Sequence, residues 1–183
     1  HSFPTRRSSD LSRLKGSIYH RTQIDLTYNS NHIEGSKLTH DQTRYIFETN
    51  TIGITDQTVN VDDILETVNH FRCIDFIIDH AEERLTENFI KYLHLLLKSG
   101  TSDSRKDWFA VGEYKRLPNE VGGQETCPPE DVHKRLKALL TEYYHNRRQY
   151  NNTHNSLILW TKLAIILLLP KKKLPKKNNL VLL

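Results

Sequence analysis

The sequence contains no methionine, only two cysteines and only seven glycines among its 183 residues. Two cysteines cannot form a disulfide framework or a four-cysteine metal site, so both of these classes of small protein are excluded. A natural reading frame opens with methionine, and its absence leads us to expect a fragment of a longer protein. Hydrophobic residues still make up 37% of the chain, which is enough for a modest core, so wholesale disorder is excluded.

Positive charge is concentrated at the C-terminal end of the sequence. The formal net charge is +4, but segment 153–183 carries six lysines and no acidic residue, so the body of the chain, residues 12–152, is net acidic. Proteins that bind nucleic acid need Lys and Arg clustered on the folded domain. We therefore expect this chain to bind no nucleic acid.

Both ends of the chain differ in composition from the body. Residues 1–11, HSFPTRRSSDL, resemble the conceptual translation of a sequencing adaptor and lack the apolar stretch of a secretory signal, so we interpret them as an artefact. Residues 153–183 are rich in Leu, Ile, Lys and Asn, and three interpretations stay open: a frameshifted reading of A/T-rich DNA, a buried helix or a membrane-associated segment. The apolar run at 157–169 is shorter than the ~20 residues that a spanning helix needs. We therefore expect no membrane partner.

The body is predicted to be mainly helical, and its first two helices have different kinds of support. A helix is expected over about residues 11–32, although its apolar pattern is weak. Thr39 and Gln42 are spaced as a capping box, which predicts a short second helix. Residues 51–58 contain a glycine and are predicted to be a connector.

Three further helices are predicted from apolar residues at three- and four-residue spacing. They begin near Val61, Thr86 and Pro129, and Gly100 supplies a left-handed stop for the middle one. The residues expected to face the core are Val61, Ile64, Leu65, Val68, Phe71, Ile74, Phe89, Ile90, Leu93, Leu96, Leu97, Val132, Leu136, Leu139, Leu140 and Tyr143. Between them, glycines and prolines in 101–129 predict a long loop or a small hairpin around Asn119.

Common nucleotide and metal motifs are absent from the sequence: it has no GxGxxG, P-loop, HExxH or CxxC. We expect His70, His80 and His94 to be surface or hydrogen-bonded residues on helices rather than metal ligands. Cys73 is expected to be a small core residue, and Cys127, which precedes two prolines, is not expected to be reactive. No metal site is predicted.

One short motif, at residues 28–35, is more informative about function. Residues 28–35 read Tyr-Asn-Ser-Asn-His-Ile-Glu-Gly, in which Ser30 and Glu34 are four apart and therefore neighbours on one helical face. Gly35 can end the helix in a left-handed conformation. On these residues alone, an ordinary helix terminus with a surface glutamate is the favoured interpretation.

The wider context of this motif changes the interpretation. SNHIEGSKLT, and further along the chain LKSGTSDSRKDWFAVGEYKRLPNEVGG and CPPEDVHKRLKALLTEY, resemble the N-terminal and middle parts of the Fic (filamentation induced by cyclic AMP) domain family. The resemblance runs from about residue 14 to about residue 150 in the family's order. It implies a mainly α fold, a Fic-like helical bundle with a small β-hairpin flap. The expected divisions are the artefact 1–11, an N-terminal region 12–50 with the motif helix, a partial Fic core 51–152 with the flap at 112–129, and the tail 153–183.

The resemblance also implies an activity. Fic proteins typically transfer AMP from ATP, with Mg²⁺, to a Ser, Thr or Tyr hydroxyl of a target protein. Ser30, Glu34 and Gly35 would form an inhibitory motif, in which Glu34 pairs with an arginine of the catalytic loop and obstructs the ATP γ-phosphate. The flap would hold the target by strand addition, through Tyr114, Lys115, Leu117, Asn119, Val121 and Gly122. We expect a cytoplasmic protein, and a homo-oligomer is compatible with the sequence.

The family's catalytic signature, His-Pro-Phe-x-(Asp/Glu)-Gly-Asn-Gly-Arg, is absent, and no glycine follows Gly123. In the family its histidine is the general base, its acid holds Mg²⁺ and its glycine-rich turn binds the phosphates. We therefore expect no catalytic residue in this chain, no AMP transfer and no tight binding of ATP or Mg²⁺. Three hypotheses follow: an autoinhibited AMP transferase that has lost its catalytic loop, a non-catalytic helical binding or regulatory module, and a short protein attached to a membrane by its tail.

Overall fold

The structure is a computed structural model, and it describes residues 13–53, 58–121 and 124–149. The expected artefact at 1–11 and the tail at 153–183 lie outside these residues. The chain divides between Asp79 and His80 into two compact units. Five helices and one two-stranded antiparallel hairpin form the regular structure of the described part, so the prediction of a mainly helical fold with a small hairpin is confirmed.

The first unit contains three helices: α1 (Ile18–Ile33), α2 (His40–Thr49) and α3 (Val61–Asp79). The expected start of α1 near residue 11 is wrong. Gly16 has a φ of +79°, which is not helical, and Ser17 caps the helix by accepting a hydrogen bond from the backbone N–H of His20 at 3.2 Å. The helix therefore begins at the first residue after this cap.

The capping box that opens α2 is confirmed in both of its hydrogen bonds. The hydroxyl of Thr39 accepts from the backbone N–H of Gln42 at 3.1 Å, and the Gln42 side chain accepts from the Thr39 N–H at 2.9 Å. At the other end, Asn50 adopts a left-handed conformation and closes the helix. Local interactions at both ends thus define the limits of α2.

The apolar core of the first unit is small. Leu38, Ile46 and Phe71 are buried together, and the ring of Phe47 meets that of Phe71 edge-on at 4.9 Å between centroids. Cys73 is also buried, as predicted for a core residue, and burial raises the pKa of its thiol to about 12. Of the residues expected to face inward on α3, the prediction for Val61 is wrong: it is 65% exposed because it is the first residue of the helix, whereas the buried apolar residues lie in the second half.

The interface between α1 and α3 is largely polar. Three residues at four-residue spacing on α1 are buried and contact α3 by hydrogen bonds. These are Gln23 to the carboxylate of Asp75 at 2.8 Å, Thr27 to the Nδ1 atom of His70 at 3.0 Å, and Asn31 to the hydroxyl of Thr67 at 2.9 Å. The apolar pattern of α1 is weak because the face it buries is polar.

The second unit contains α4 (Glu87–Lys98), a short 3₁₀ turn at Asp103–Arg105, the hairpin strands β1 (Glu120–Val121) and β2 (Gln124–Glu125), and α5 (Pro129–Gln149). The predicted start of α4 near Thr86 and its stop at Gly100 are confirmed: the Thr86 hydroxyl caps the helix by accepting from the Phe89 N–H at 3.2 Å, and Gly100 has a φ of +75°. The core of the second unit consists mainly of residues that the spacing predicted. These are Phe89, Ile90, Leu93, Leu96, Val132 and Leu136, and Leu85 and Phe109 are buried with them.

One inward-facing prediction in this unit is wrong. Leu139 is 37% exposed, because the buried part of α5 is its beginning, up to Leu136, and the following turns are covered less by the rest of the unit. Leu97, Leu140 and Tyr143 are half-buried. None of the helices in 13–53, 58–121 and 124–149 combines the length and apolarity that crossing a membrane requires.

His70, the half-buried histidine of the α1–α3 interface, predicts a pH dependence. Burial lowers the pKa of His70 from 6.5 to about 4, whereas an unfolded histidine keeps the ordinary value. Between these two pH values the unfolded state binds more protons, so acid favours unfolding. We expect the contribution of His70 to the free energy of unfolding to be constant above about pH 6.5 and to fall progressively towards pH 4.

The measurement is an NMR titration of the His70 ring, whose midpoint should lie near pH 4. Urea unfolding of His70→Gln, which cannot be protonated, should show less loss of stability than the unmodified chain over the same pH interval. A midpoint for His70 at the ordinary histidine value would contradict the prediction.

Candidate functional site

The first candidate site is the C-terminal end of α1, where the sequence predicts an inhibitory motif. Gly35 has a φ of +96°; its N–H donates to the carbonyl of His32 at 3.1 Å, and the N–H of Ser36 donates to the carbonyl of Asn31 at 2.9 Å. These two hydrogen bonds form a Schellman motif, which closes a helix around a left-handed residue. The prediction that Gly35 ends the helix is confirmed.

Glu34 is the last residue with a helical backbone, and Ser30 lies on the same face one turn earlier. The backbone N–H of Glu34 donates to the carbonyl of Ser30 at 3.3 Å, Ser30 is buried and Glu34 is half-buried. The neighbouring Asn31 is hydrogen-bonded to α3. The backbone position of Glu34 is therefore fixed by the hydrogen bonds that close the end of α1 and by the contact of Asn31 with Thr67.

The second candidate site is the flap, residues 112–129 in the second unit. Glu120 pairs with Glu125 and Val121 with Gln124. The hairpin therefore begins after Asn119, whereas the sequence predicted a hairpin around that residue. The side chain of Lys115 supports the base of this hairpin, donating to the Asn119 amide oxygen and to the Thr126 hydroxyl, both at 2.5 Å. Gly122, one of the predicted flap residues, lies outside the described residues.

A cavity of about 230 Å³ lies within the second unit. Three of the predicted flap residues line it: Lys115, Leu117 and Asn119. Its other walls are His94 from α4, the aromatic pair Trp108 and Phe109, Ala110, Glu113, Arg116 and Pro118. The structure therefore brings half of the predicted flap residues to one concave site.

Tyr114, also predicted as a flap residue, occupies a different place. Its ring lies 4.3 Å from the ammonium group of Lys91 and 5.9 Å from the ring of His133, between centroids. Burial, and then the neighbouring carboxylate of Glu87, raise the pKa of the Tyr114 phenol. Lys91 also forms an ion pair with Glu113 at 2.9 Å. The aromatic ring of Tyr114 thus attaches the beginning of the flap to the helices of this unit.

His94 is the most buried polar residue of the cavity, with 4% of its surface exposed. Its Nδ1 atom accepts a hydrogen bond from the backbone N–H of Gly112 at 3.1 Å, whereas its Nε2 atom finds no hydrogen-bond partner within the described ranges. Burial, and then the nearby charge of Lys98, lower the pKa of His94 to about 4. The ring is therefore neutral near pH 7, and since Nδ1 accepts, the proton resides on Nε2.

Gly112 is needed where the flap begins. Its φ is +75°, and a Cβ atom at this position would lie 3.1 Å from the Cβ of Leu95. Only glycine allows the backbone to come this close to α4 and to donate to His94.

The chain has no match among protein-family models and none among curated proteins. Among solved structures it is similar to the crystal structure of a Fic domain containing signaling protein from Bacteroides thetaiotaomicron VPI-5482, with a TM-score of 0.58 and 26% sequence identity. The chain has a Fic-like fold. The alignment covers 70% of this chain and 48% of the other, so the chain spans about half the length of the structure it matches.

Sequence reasoning missed part of the cavity of this Fic-like chain. His94 was expected to be a surface or fully hydrogen-bonded residue, but it is buried and only one of its two nitrogens is bonded. Trp108 and Phe109 were not singled out, although adjacent aromatic residues in a loop rich in glycine and proline are a detectable signal. His70, in contrast, is hydrogen-bonded to Thr27, as expected.

The fit of the described residues to Mg²⁺ and ATP can be judged from their donor groups. Within 13–53, 58–121 and 124–149, no group of three or more His, Cys, Asp or Glu residues is arranged to hold a metal ion. The family's donors for Mg²⁺ and for the phosphates belong to the catalytic signature, which this sequence lacks. The donors that the family uses for Mg²⁺ and for the phosphates are therefore missing from this sequence.

The Schellman motif predicts the effect of substituting Gly35. A left-handed backbone costs an L-residue about 1–2 kcal/mol, so Gly35→Ala should lower the free energy of unfolding by about that amount. Gly53→Ala is the matched control, because neither glycine has heavy atoms within 4 Å of an added Cβ and Gly53 does not have a positive φ.

The control variant should be neutral or stabilised by about 0.5–1 kcal/mol, through a less flexible unfolded chain. Urea unfolding followed by circular dichroism measures both variants. Equal effects of the two substitutions would contradict the assigned role of Gly35.

Proposed function

We propose that this chain supplies the inhibitory helix and the target-binding flap of a Fic-type protein AMP transferase, an enzyme that moves AMP from ATP to a Ser, Thr or Tyr hydroxyl of a target protein. The observation that carries the proposal is the fixed position of Glu34 at the Schellman end of α1, in a chain with a Fic-like fold. Ser30, Glu34 and Gly35 are the three residues that match the family's inhibitory motif.

The physical basis of inhibition is the demand that a carboxylate–guanidinium pair places on geometry. A bidentate pair forms only when the two groups meet in one plane at hydrogen-bond distance. A carboxylate on a mobile loop would satisfy this rarely, whereas one on a helix held by the contact of Asn31 with Thr67 can satisfy it in a defined state. Paired with a catalytic-loop arginine, Glu34 would also repel the triphosphate of ATP, because both are negatively charged.

The proposed mode of target binding by the flap is strand addition. Within the described residues the hairpin has two strands, and each strand of a two-stranded sheet leaves one edge for a further strand. The hairpin is braced from the inside by Lys115, through Asn119 and Thr126. An extended target segment could therefore pair with the flap and lay a side chain towards the cavity.

A second function is favoured by the sequence itself. Without the His-Pro-Phe-x-(Asp/Glu)-Gly-Asn-Gly-Arg signature, the chain has no general base of the family's kind, yet its flap and cavity are built. A non-catalytic helical module that binds a protein partner, or regulates a related enzyme, would need only these parts.

The inhibitory role of Glu34 is tested in a chimera in which residues 150–183 are replaced by a segment carrying the catalytic signature. Glu34→Gln, which removes the charge and keeps the size, should raise self-modification by labelled ATP about tenfold or more, because a charged hydrogen bond is worth about 1.5–3 kcal/mol. Glu34→Gly should raise it as well.

Asp41→Asn is the matched control, since it removes one negative charge from an exposed position of the same unit. Its effect on label incorporation should be small. An active chimera in which Glu34→Gln behaves like Asp41→Asn would refute the inhibitory assignment while leaving the flap unaffected.

Nucleotide binding by the 183-residue chain itself should be absent or very weak. The sequence lacks the family's donors for Mg²⁺ and the phosphates, so calorimetric titration with ATP and Mg²⁺ should give no saturable, Mg²⁺-dependent heat. Clear saturable binding would show that the chain builds a nucleotide site without the family signature.

A further inference from the structure

We propose that the flap selects target segments that place a lysine or an arginine beside Glu120 and Glu125. These two glutamates lie directly opposite each other on β1 and β2. The inference rests on the proposed function of the flap, which is strand addition of a target, and it names the chemistry of the segment that is added.

The first argument is the position of the two glutamates in the hairpin ladder. The backbone N–H of Thr126 donates to the carbonyl of Asn119 at 3.0 Å, so these two residues form a hydrogen-bonded pair. Hydrogen-bonded and non-hydrogen-bonded pairs alternate along an antiparallel ladder. Glu120 and Glu125 are the next pair and are therefore of the non-hydrogen-bonded kind, in which Cα atoms are about 4.5 Å apart and side chains lie closest.

The second argument is the direction of the backbone groups at this pair. In a non-hydrogen-bonded pair, the N–H and C=O groups of both residues point away from the partner strand, towards the outer edges of the sheet. No third strand pairs with the hairpin within 13–53, 58–121 and 124–149. A strand added beside β1 would therefore form hydrogen bonds with Glu120, and one added beside β2 with Glu125. In both cases one side chain of the added strand would lie in the same row as the two carboxylates.

The third argument is the charge of this row. Both glutamates are exposed, and neither forms an ion pair with another described residue. Like charges directly opposite each other destabilise a sheet. Lys115 does not compensate them, because its ammonium group donates to Asn119 and Thr126. Successive residues of a strand point to opposite faces, so Lys115 contacts the face of the hairpin away from Glu120 and Glu125.

The chemistry of the added segment follows from this uncompensated pair. A basic side chain in the row would lie next to a carboxylate and reduce the repulsion between the two glutamates. A neutral side chain would leave the repulsion unchanged, and an acidic one would add a third negative charge. Charged side chains on an edge strand oppose indiscriminate pairing with other strands. Because both charges here are negative, a basic segment is the one that they admit.

Three peptides test this selection: acetyl-Thr-Val-Lys-Val-Thr-amide and the two peptides that carry Gln or Glu in place of Lys. The 183-residue chain, labelled with ¹⁵N, is titrated with each peptide, and the amide resonances of Glu120 and Glu125 are followed by NMR. The Lys peptide should shift them and bind about fivefold more tightly than the Gln peptide, as expected for one cross-strand charge pair. The Glu peptide should bind more weakly than both.

Two double variants show whether the preference belongs to this row. Glu120→Gln combined with Glu125→Gln should abolish it, so that the Lys and Gln peptides bind with equal affinity. Glu82→Gln combined with Glu142→Gln is the matched control, because it removes the same charge from two exposed positions of the second unit outside the flap. The control should keep the fivefold preference of the unmodified chain.

Two kinds of failure can be told apart. Equal binding of the three peptides, or a preference that the control variant loses as fully as the flap variant, would overturn the inference and leave strand addition by the flap intact. No saturable shift of the Glu120 and Glu125 amides with any peptide, in a chain that circular dichroism shows to be folded, would overturn the inference together with strand addition. Neither result depends on the inhibitory role of Glu34.

Discussion

The placement of the first candidate site depends on the polar contact between α1 and α3. Gln23, Thr27 and Asn31 recur every four residues and each is hydrogen-bonded to a residue of α3. Hydrogen bonds are directional, so this face specifies the rotation and the axial position of α1 more strictly than an apolar face of the same area would. A slip of one residue would leave several buried polar groups without partners. Because Glu34 lies at the Schellman end of α1, its backbone position is specified by the same contacts.

The flap is attached to its unit by a comparable set of specific contacts rather than by a large core. Gly112 approaches α4 closely and donates to His94, Tyr114 lies over the ammonium of Lys91, and Lys115 holds Asn119. These contacts fix the segment before β1 at four positions: Gly112, Tyr114, Lys115 and Asn119. The space that remains between them and α4 is the cavity, so its shape is a consequence of how the flap is anchored.

Local interactions explain what could be predicted from the sequence. The cap at Thr39 and the helix ends at Gly35 and Gly100 depend on residues within four or five positions, and all three were predicted correctly. The buried face of α1 could not be predicted, because Gln23 is a core residue only by virtue of Asp75, which lies 52 positions away. His94 was underestimated for the same reason: its burial and its missing partner depend on the loop that folds back over α4.

The protonation state of His94 is linked to the anchoring of the flap through the hydrogen bond from Gly112. A neutral imidazole that accepts a hydrogen bond at Nδ1 must carry its proton on Nε2. The ring that accepts from the N–H of Gly112 therefore carries a donor on its other nitrogen, which is buried and meets no acceptor within the described residues. Protonation of Nδ1 would remove the acceptor that holds the flap at its first residue, and the lowered pKa of His94, about 4, keeps this hydrogen bond intact near pH 7.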